Sequence, residues 1–343
     1  MLWKTVLRAS MLWSLCLVVA AGEGGLAGAE PRPTLTSLVA ELELDDAAVA
    51  ELRAGKSYQR FPLEVSERDI AAGIVFLTRS TPAEVGKLFA QFADVTVNPS
   101  VRSSHDIASA ADFASLTLGP HGAAEARRYV LAKPGDELNL STEELATFHA
   151  LGEGATQQQV EATLRTALAR RWEAYRTSGL GGIFPYAREG GTMRRGGDEL
   201  QRVVAALTPR IASHSPTLAH TLRAYPKRDP GVKEGFRWIV YEHDGRPTVT
   251  LRQRLSFVLP DGNVVLSDRE IYVSQGYNAM QAFAAMFALG AGDRDGTLVH
   301  YQANTSTDRV EGSASAMKHG IGRKMMAREL DALFERFRAR LGK

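Results

Sequence analysis

The sequence predicts an α+β chain: an antiparallel sheet closed by one long C-terminal helix, with a large helical insertion before most of the strands. Three observations predict it. Residues 232–311 hold apolar runs joined at Asp244-Gly245, Pro260-Asp261-Gly262 and Asp295-Gly296, which is hairpin turn chemistry. Residues 138–227 carry helix caps and apolar side chains at helical spacing. From Gly312 the chain passes through GSASAMKHGIGRKMM into the bulky amphipathic run ARELDALFERFRARL.

The chain opens with Lys4 and Arg8 ahead of the apolar run MLWSLCLVVAA and the small-residue stretch Ala27-Gly28-Ala29. A basic start, a short apolar core and an A-x-A site predict a secretory signal peptide over residues 1–29, cleaved after Ala29. The mature chain of residues 30–343 then reads as one domain in the periplasm or outside the cell, without cysteine, because Cys16 lies in the leader. Removing Lys4, Arg8 and Glu23 takes the net charge from +2 to +1. That balance argues against nucleic acid or an anionic membrane surface as the partner. The longest later apolar stretch, AFAAMFALGA, is half the length of a membrane span, so no integral span is expected after cleavage.

TLTSLVAELEL and DDAAVAELRAG read as short helices, the second capped by Asp45 or Asp46 and ended by Gly55. ERDIAAGIVFLTRS reads as a strand. It runs into the helix TPAEVGKLFAQF, with Thr81 as N-cap, Pro82 in the first turn and Glu84 closing the capping box. LSTEELATFHAL repeats that box from Ser141 to Glu144, and TQQQVEATLRTALARRWEAYR and DELQRVVAALTPRIASH are longer helices. The glycine-rich GLGGIFPYAREGGTMRRGG between them reads as a loop, a surface segment in which Tyr186 and Arg188 could form part of a lid.

In the third part, Val249, Leu251, Leu255 and Phe257 share one strand face while Thr250, Arg252, Arg254 and Ser256 share the other, the pattern of a sheet with one buried face. AMQAFAAMFAL fits helix by composition and strand by position, and the strand reading is preferred. Met317, Ile321, Met325, Leu330, Leu333, Phe337 and Leu341 form the apolar stripe of the last helix.

A strand running into the helix at TPAEVGKLFAQF, then hairpins over 236–311, then the helix from Gly312 resembles the helix-grip fold of the START and Bet v 1-like lipid-binding superfamily. The resemblance implies a curved sheet gripping the last helix over a hydrophobic cavity, and it carries no fixed site residues. Gly320 and Gly322 each cost about 1 kcal/mol relative to alanine in a helix, so packing must offset them. Three readings stand: a thin half leaving a cavity against the sheet, small residues allowing close strand contact, or a helix that starts only at Ile321.

No catalytic motif is complete. SAMK at Ser315–Lys318 matches S-x-x-K without its companion elements, and G-x-S-x-G, H-E-x-x-H and the phosphate loops are absent. No cofactor or metal is implied. The polar residues near the expected cavity mouth are the candidate ligand contacts: Thr305, Thr307, Asp308 and Arg309 at the strand-to-helix junction, Tyr277, Asn278 and Gln281 in SQGYNAMQ, and His319 and Arg323 one helical turn apart. If 277–281 is strand, Tyr277 and Gln281 share a face; His319 could pair with Asp308. These residues point to binding of a hydrophobic or amphipathic small molecule. The alternatives are an enzyme of the hydrolase or cyclase type, using Asp308, His319 and Arg323 for acid–base chemistry, and an envelope protein docking a partner on residues 138–227.

Overall fold

The computed structural model describes residues 33–91, 97–119, 122–135, 137–243, 245–290 and 296–341. The expected signal peptide, its cleavage point, Asp244 and Asp295 lie outside them.

Short helices α1 (Leu35–Glu41) and α2 (Asp46–Arg53) lead into the three-residue strand β1 (Tyr58–Arg60) and the ten-residue β2 (Asp69–Thr78). Asp45 caps α2 by accepting from Ala48 N at 2.8 Å. Helix α3 (Pro82–Ala90) follows, its capping box formed as the sequence predicts: Thr81 N donates to Glu84 at 2.8 Å and Glu84 N donates to Thr81 Oγ1 at 3.3 Å. Strand β3 (Val101–Asp106) then precedes the inserted helices α4 (Gly122–Val130), α5 (Thr142–His149) and α6 (Gln157–Ser178). A two-strand ribbon, β4 (Tyr186–Ala187) with β5 (Met193–Arg194), joins them to α7 (Gly196–His214) and α8 (Pro216–Ala224). The rest is the predicted meander, β6 (Lys233–His243), β7 (Arg246–Val258), β8 (Val264–Val273), β9 (Ala279–Ala288) and β10 (Thr297–Ser306), ended by α9 (Ser315–Leu341).

Eight strands form one antiparallel sheet in the order β1-β2-β10-β9-β8-β7-β6-β3. The first long strand therefore sits beside the last one, and α9 packs along β2. Thr78 pairs with Thr297 and Asp69 with Ser306, so the register spans the full length of both strands. The AMQAFAAMFAL run is strand β9. Its alanines alternate with larger side chains, Phe283 and Phe287 packing in the core on one face and Met286 in the core on the other.

Both faces of the sheet are covered, not one. Ile74, Phe76, Ala284 and Val299 face α3 and α9, where Phe89, Phe334 and Phe337 complete a core. Their neighbours Val75, Phe283, Ala285 and Leu298 face the opposite way, under α1, α2, α7 and α8. The inserted helices α4–α6 cover Phe236, Trp238, Val249 and Leu251. The predicted polar face of β7 is not solvated: Arg252 and Arg254 lie against Glu270 and Asp268 of β8, two buried carboxylates. The period-2 pattern was right about the faces, but ion pairing let the second one be buried.

The last helix begins at Ser315, and its small first half allows close packing. A Cβ on Gly322 would stand 2.7 Å from Ile70 Cδ1, so β2 side-chain atoms already occupy that side, whereas Gly320 faces open space. Met317, Ile321 and Met325 do not belong to the core stripe; they are 64%, 53% and 56% exposed. The buried line keeps the predicted Leu330 and Phe337 and adds His319, Ala327 and Phe334. No helix of the described residues is long and apolar enough to cross a membrane.

Candidate functional site

The site grows out of a mismatch in strand lengths. β1 pairs only Tyr58–Arg60 with Val75–Gly73, so β2 from Phe76 to Thr78 has no strand on its outer side among the described residues. The chain between α2 and β1 turns at Gly55, with φ +78°, and the second half of α9 stands across the gap. The result is an open groove of about 980 Å³, at the upper end of the range for small-molecule sites.

Leu35, Leu52, Tyr58, Leu77 and Leu289 supply its apolar lining, and charged side chains form its rim. Two of the rim acids are engaged: Asp331 accepts from Ser57 Oγ at 2.5 Å and Glu335 from Arg338 at 2.9 Å. Arg338 also donates to the Gly55 carbonyl and lies over the Phe76 ring, 5.7 Å from its centroid. Arg53, Lys56 and Arg79 are exposed rim cations that meet no carboxylate of the described residues in an ion pair. An apolar floor with uncommitted cations suits a molecule with an apolar body and one anionic end.

None of the sequence-predicted ligand contacts lines this groove. They lie at the other end of the sheet, where most are engaged by protein. Asn278 and Asp308 do come together: Asn278 Nδ2 donates to Asp308 at 3.1 Å. Asp308 also pairs with Arg188 at 3.0 Å and Arg194 at 2.6 Å. Arg188 is the residue whose importance the loop reading missed. It is buried, and its guanidinium also donates to Gly135 O at 2.8 Å, Asn139 at 2.8 Å and Asn278 at 2.9 Å. The expected lid is thus a pinned segment, and Tyr186 ties it down further by donating to Asn278 O at 3.1 Å.

His319 does not meet Asp308. Its Nδ1 lies 2.8 Å from Glu64 and its Nε2 is 2.9 Å from the Glu67 carbonyl, while Arg323 reaches the other Glu64 oxygen at 3.6 Å. The Asp308–His319 acid–base arrangement is therefore not assembled. Thr307 Oγ1 donates to Gly276 O at 3.2 Å and accepts from Arg309 N, a turn-capping role, and the Arg309 side chain is exposed. Thr305 is half-buried on β10.

Tyr277 and Gln281 take opposite faces, because β9 starts only at Ala279 and Tyr277 precedes it. Tyr277 donates to the buried Glu270, and burial followed by the Glu270 charge pushes its hydroxyl pKa well up. Gln281 accepts from Arg269 at 2.9 Å and donates to Ser267 Oγ at 2.6 Å on the α7 side. Among the described residues no group of three or more His, Cys, Asp or Glu side chains is placed to hold a metal ion. No family model, curated protein or solved structure matches this chain.

Proposed function

We propose that the chain is a binding protein for an amphipathic anion, held in the groove between α2, the free end of β2 and the second half of α9. The observation that carries this reading is the meeting of an apolar floor with Arg53, Lys56 and Arg79, three rim cations with no carboxylate partner among the described residues. Burying a ligand's alkyl body against Leu52, Leu77 and Leu289 contributes about 25 cal/mol per Å² removed from water. The rim cations then select for an acidic end and against a basic one.

The order of strand, helix, antiparallel strands and terminal helix supports the same reading, because the START and Bet v 1-like resemblance implies a ligand held beside that last helix. The groove differs from that expectation in lying beside the thick half of α9, since Ile70 fills the thin half at Gly322. Action as a carrier in the periplasm or outside the cell belongs to this reading too, on the strength of the basic, apolar and A-x-A pattern of residues 1–29. Native mass spectrometry of the full chain purified without detergent tests it. A co-purifying species with an alkyl body and an acid group is the expected result; a chain that carries none, and acquires none from an added fatty acid, contradicts it.

A further inference from the structure

A second cavity, of about 260 Å³, lies toward the opposite edge of the sheet, where β6 and β7 meet the ends of α3 and β3. Its floor is a short two-strand ladder. Lys233 pairs with Ser256, Gly235 with Arg254 and Arg237 with Arg252, and all six residues line the space. Alternation along each strand puts these six on one face. Four of the six are cationic, and Arg237 stands directly opposite Arg252, a like-charge pair that is unfavourable across strands unless something intervenes.

Carboxylates answer part of that charge from the margins. Arg252 donates to Glu270 at 2.6 Å, Arg254 donates twice to Asp268 at 2.6 and 2.5 Å, and Arg237 donates to Asp106 at 2.7 Å. Glu234 also lines the cavity, but its carboxylate is engaged by Gln253 at 2.7 Å and by Arg228 at 3.4 Å. The buried Nε of Arg252 has no hydrogen-bond partner, and Lys233 at the mouth is exposed. In the middle sits Gly235, where an added Cβ would meet nothing within 4 Å. The missing side chain is what opens the space between the cations. Strand glycine costs stability, and close approach of another group to the backbone is a common reason for one.

We propose that this cavity binds one small oxyanion of the phosphate type, held over the bare backbone of Gly235 between Lys233, Arg237, Arg252 and Arg254. Guanidinium groups present paired donors that match such an oxyanion, and the volume is below the usual range for drug-sized ligands. The oxyanion is either free phosphate or the phosphomonoester end of a larger molecule. The site is distinct from the amphiphile groove, with which it shares no lining residue.

Calorimetric titration of the full chain with inorganic phosphate and with glycerol phosphate, at constant ionic strength set by chloride, tests the assignment. Gly235→Leu fills the cavity without removing a charge, and Lys233→Gln removes one exposed cation without disturbing the Arg–carboxylate pairs. Saturable binding of at least one ligand by the wild-type chain, weakened about tenfold or more in Gly235→Leu and several-fold in Lys233→Gln, is the expected result. Binding of inorganic phosphate assigns the free ion, and binding of glycerol phosphate alone assigns an esterified one. No binding of either, or equal binding by the wild type and the folded variants, overturns the proposal.

Discussion

Arg188 Nε lies 3.0 Å from Asp308 Oδ2, across 120 residues of sequence, and this pair ties the glycine-rich segment to the junction between β10 and α9. Asp308 shares its charge with Arg194, which also reaches Glu311 at 3.2 Å, and Glu311 in turn takes Arg68 at 3.0 Å. The inserted helices are therefore coupled to the sheet's end by a chain of charges, in addition to apolar packing. Within NTSTDRVEG, Asp308 and Glu311 belong to this network, while Asn304 and Thr307 are held separately, by Asp69 and the Gly276 carbonyl.

Arg188→Ala should destabilise the fold by about 2–4 kcal/mol, because it leaves the buried Asn139 and Asn278 side-chain oxygens without their donor, while Asp308 keeps Arg194 and Asn278. Chemical denaturation of the variant measures this. A change within about 0.5 kcal/mol, the level of an ordinary surface substitution, would mean the network is dispensable.

The two glycines of α9 should respond in opposite directions. Gly320→Ala adds a methyl group in open space and should stabilise by about 0.5–1 kcal/mol through helix propensity. Gly322→Leu must displace Ile70 and should destabilise by about 1–3 kcal/mol. Thermal melts of the two variants distinguish this packing from an unfilled space, in which the larger side chain would be accommodated without loss.

Asp69 gives the molecule a pH dependence. Burial, the largest cause, lifts its carboxyl from 3.8 to about 6 despite hydrogen bonds from Val65 N at 2.9 Å and Asn304 at 2.7 Å. A folded-state pKa above the unfolded value means the contribution is present below pH 3.8 and is lost as pH rises through 6. Asp69→Asn removes that titration, so its stability relative to wild type should improve between about pH 4 and pH 7 by up to about 3 kcal/mol. Denaturation across that pH range checks the slope; a difference that stays flat would place the Asp69 pKa near its ordinary value.

Much of the fold was legible because the signals are local. Thr81-Pro82…Glu84 and Ser141…Glu144 carry their helix starts within four residues, and the Pro260-Asp261-Gly262 turn marks its hairpin the same way. Strands β1 and β3 escaped notice: one has three residues, and VRSSHD on the sheet's edge is too polar and exposed to show a buried face. The stripe on α9 holds in its second half, where Leu330, Leu333, Phe337 and Leu341 pack on the core, and fails in its first, where Met317, Ile321 and Met325 are exposed. There the bulkier side chains face solvent, and the smaller Gly322 and His319 face protein. For the site, the sequence identified reactive residue types without their partners. Arg188, Glu64 and Arg68 lie far from 304–323 in the chain, and no spacing rule connects them. The groove is assembled from separated segments, and its cations look in sequence like ordinary surface residues.

The groove's selectivity is tested most directly by equilibrium binding of two fluorescent alkyl probes to the full chain, one ending in a carboxylate and the other in a quaternary ammonium. The carboxylate probe should bind saturably, and Lys56→Glu with Arg79→Glu should weaken it by about tenfold or more, or about 1.4 kcal/mol. The ammonium probe should bind the wild type far more weakly. Equal affinity for both probes, or carboxylate binding unchanged by the charge reversals, would contradict an amphipathic-anion site beside α9.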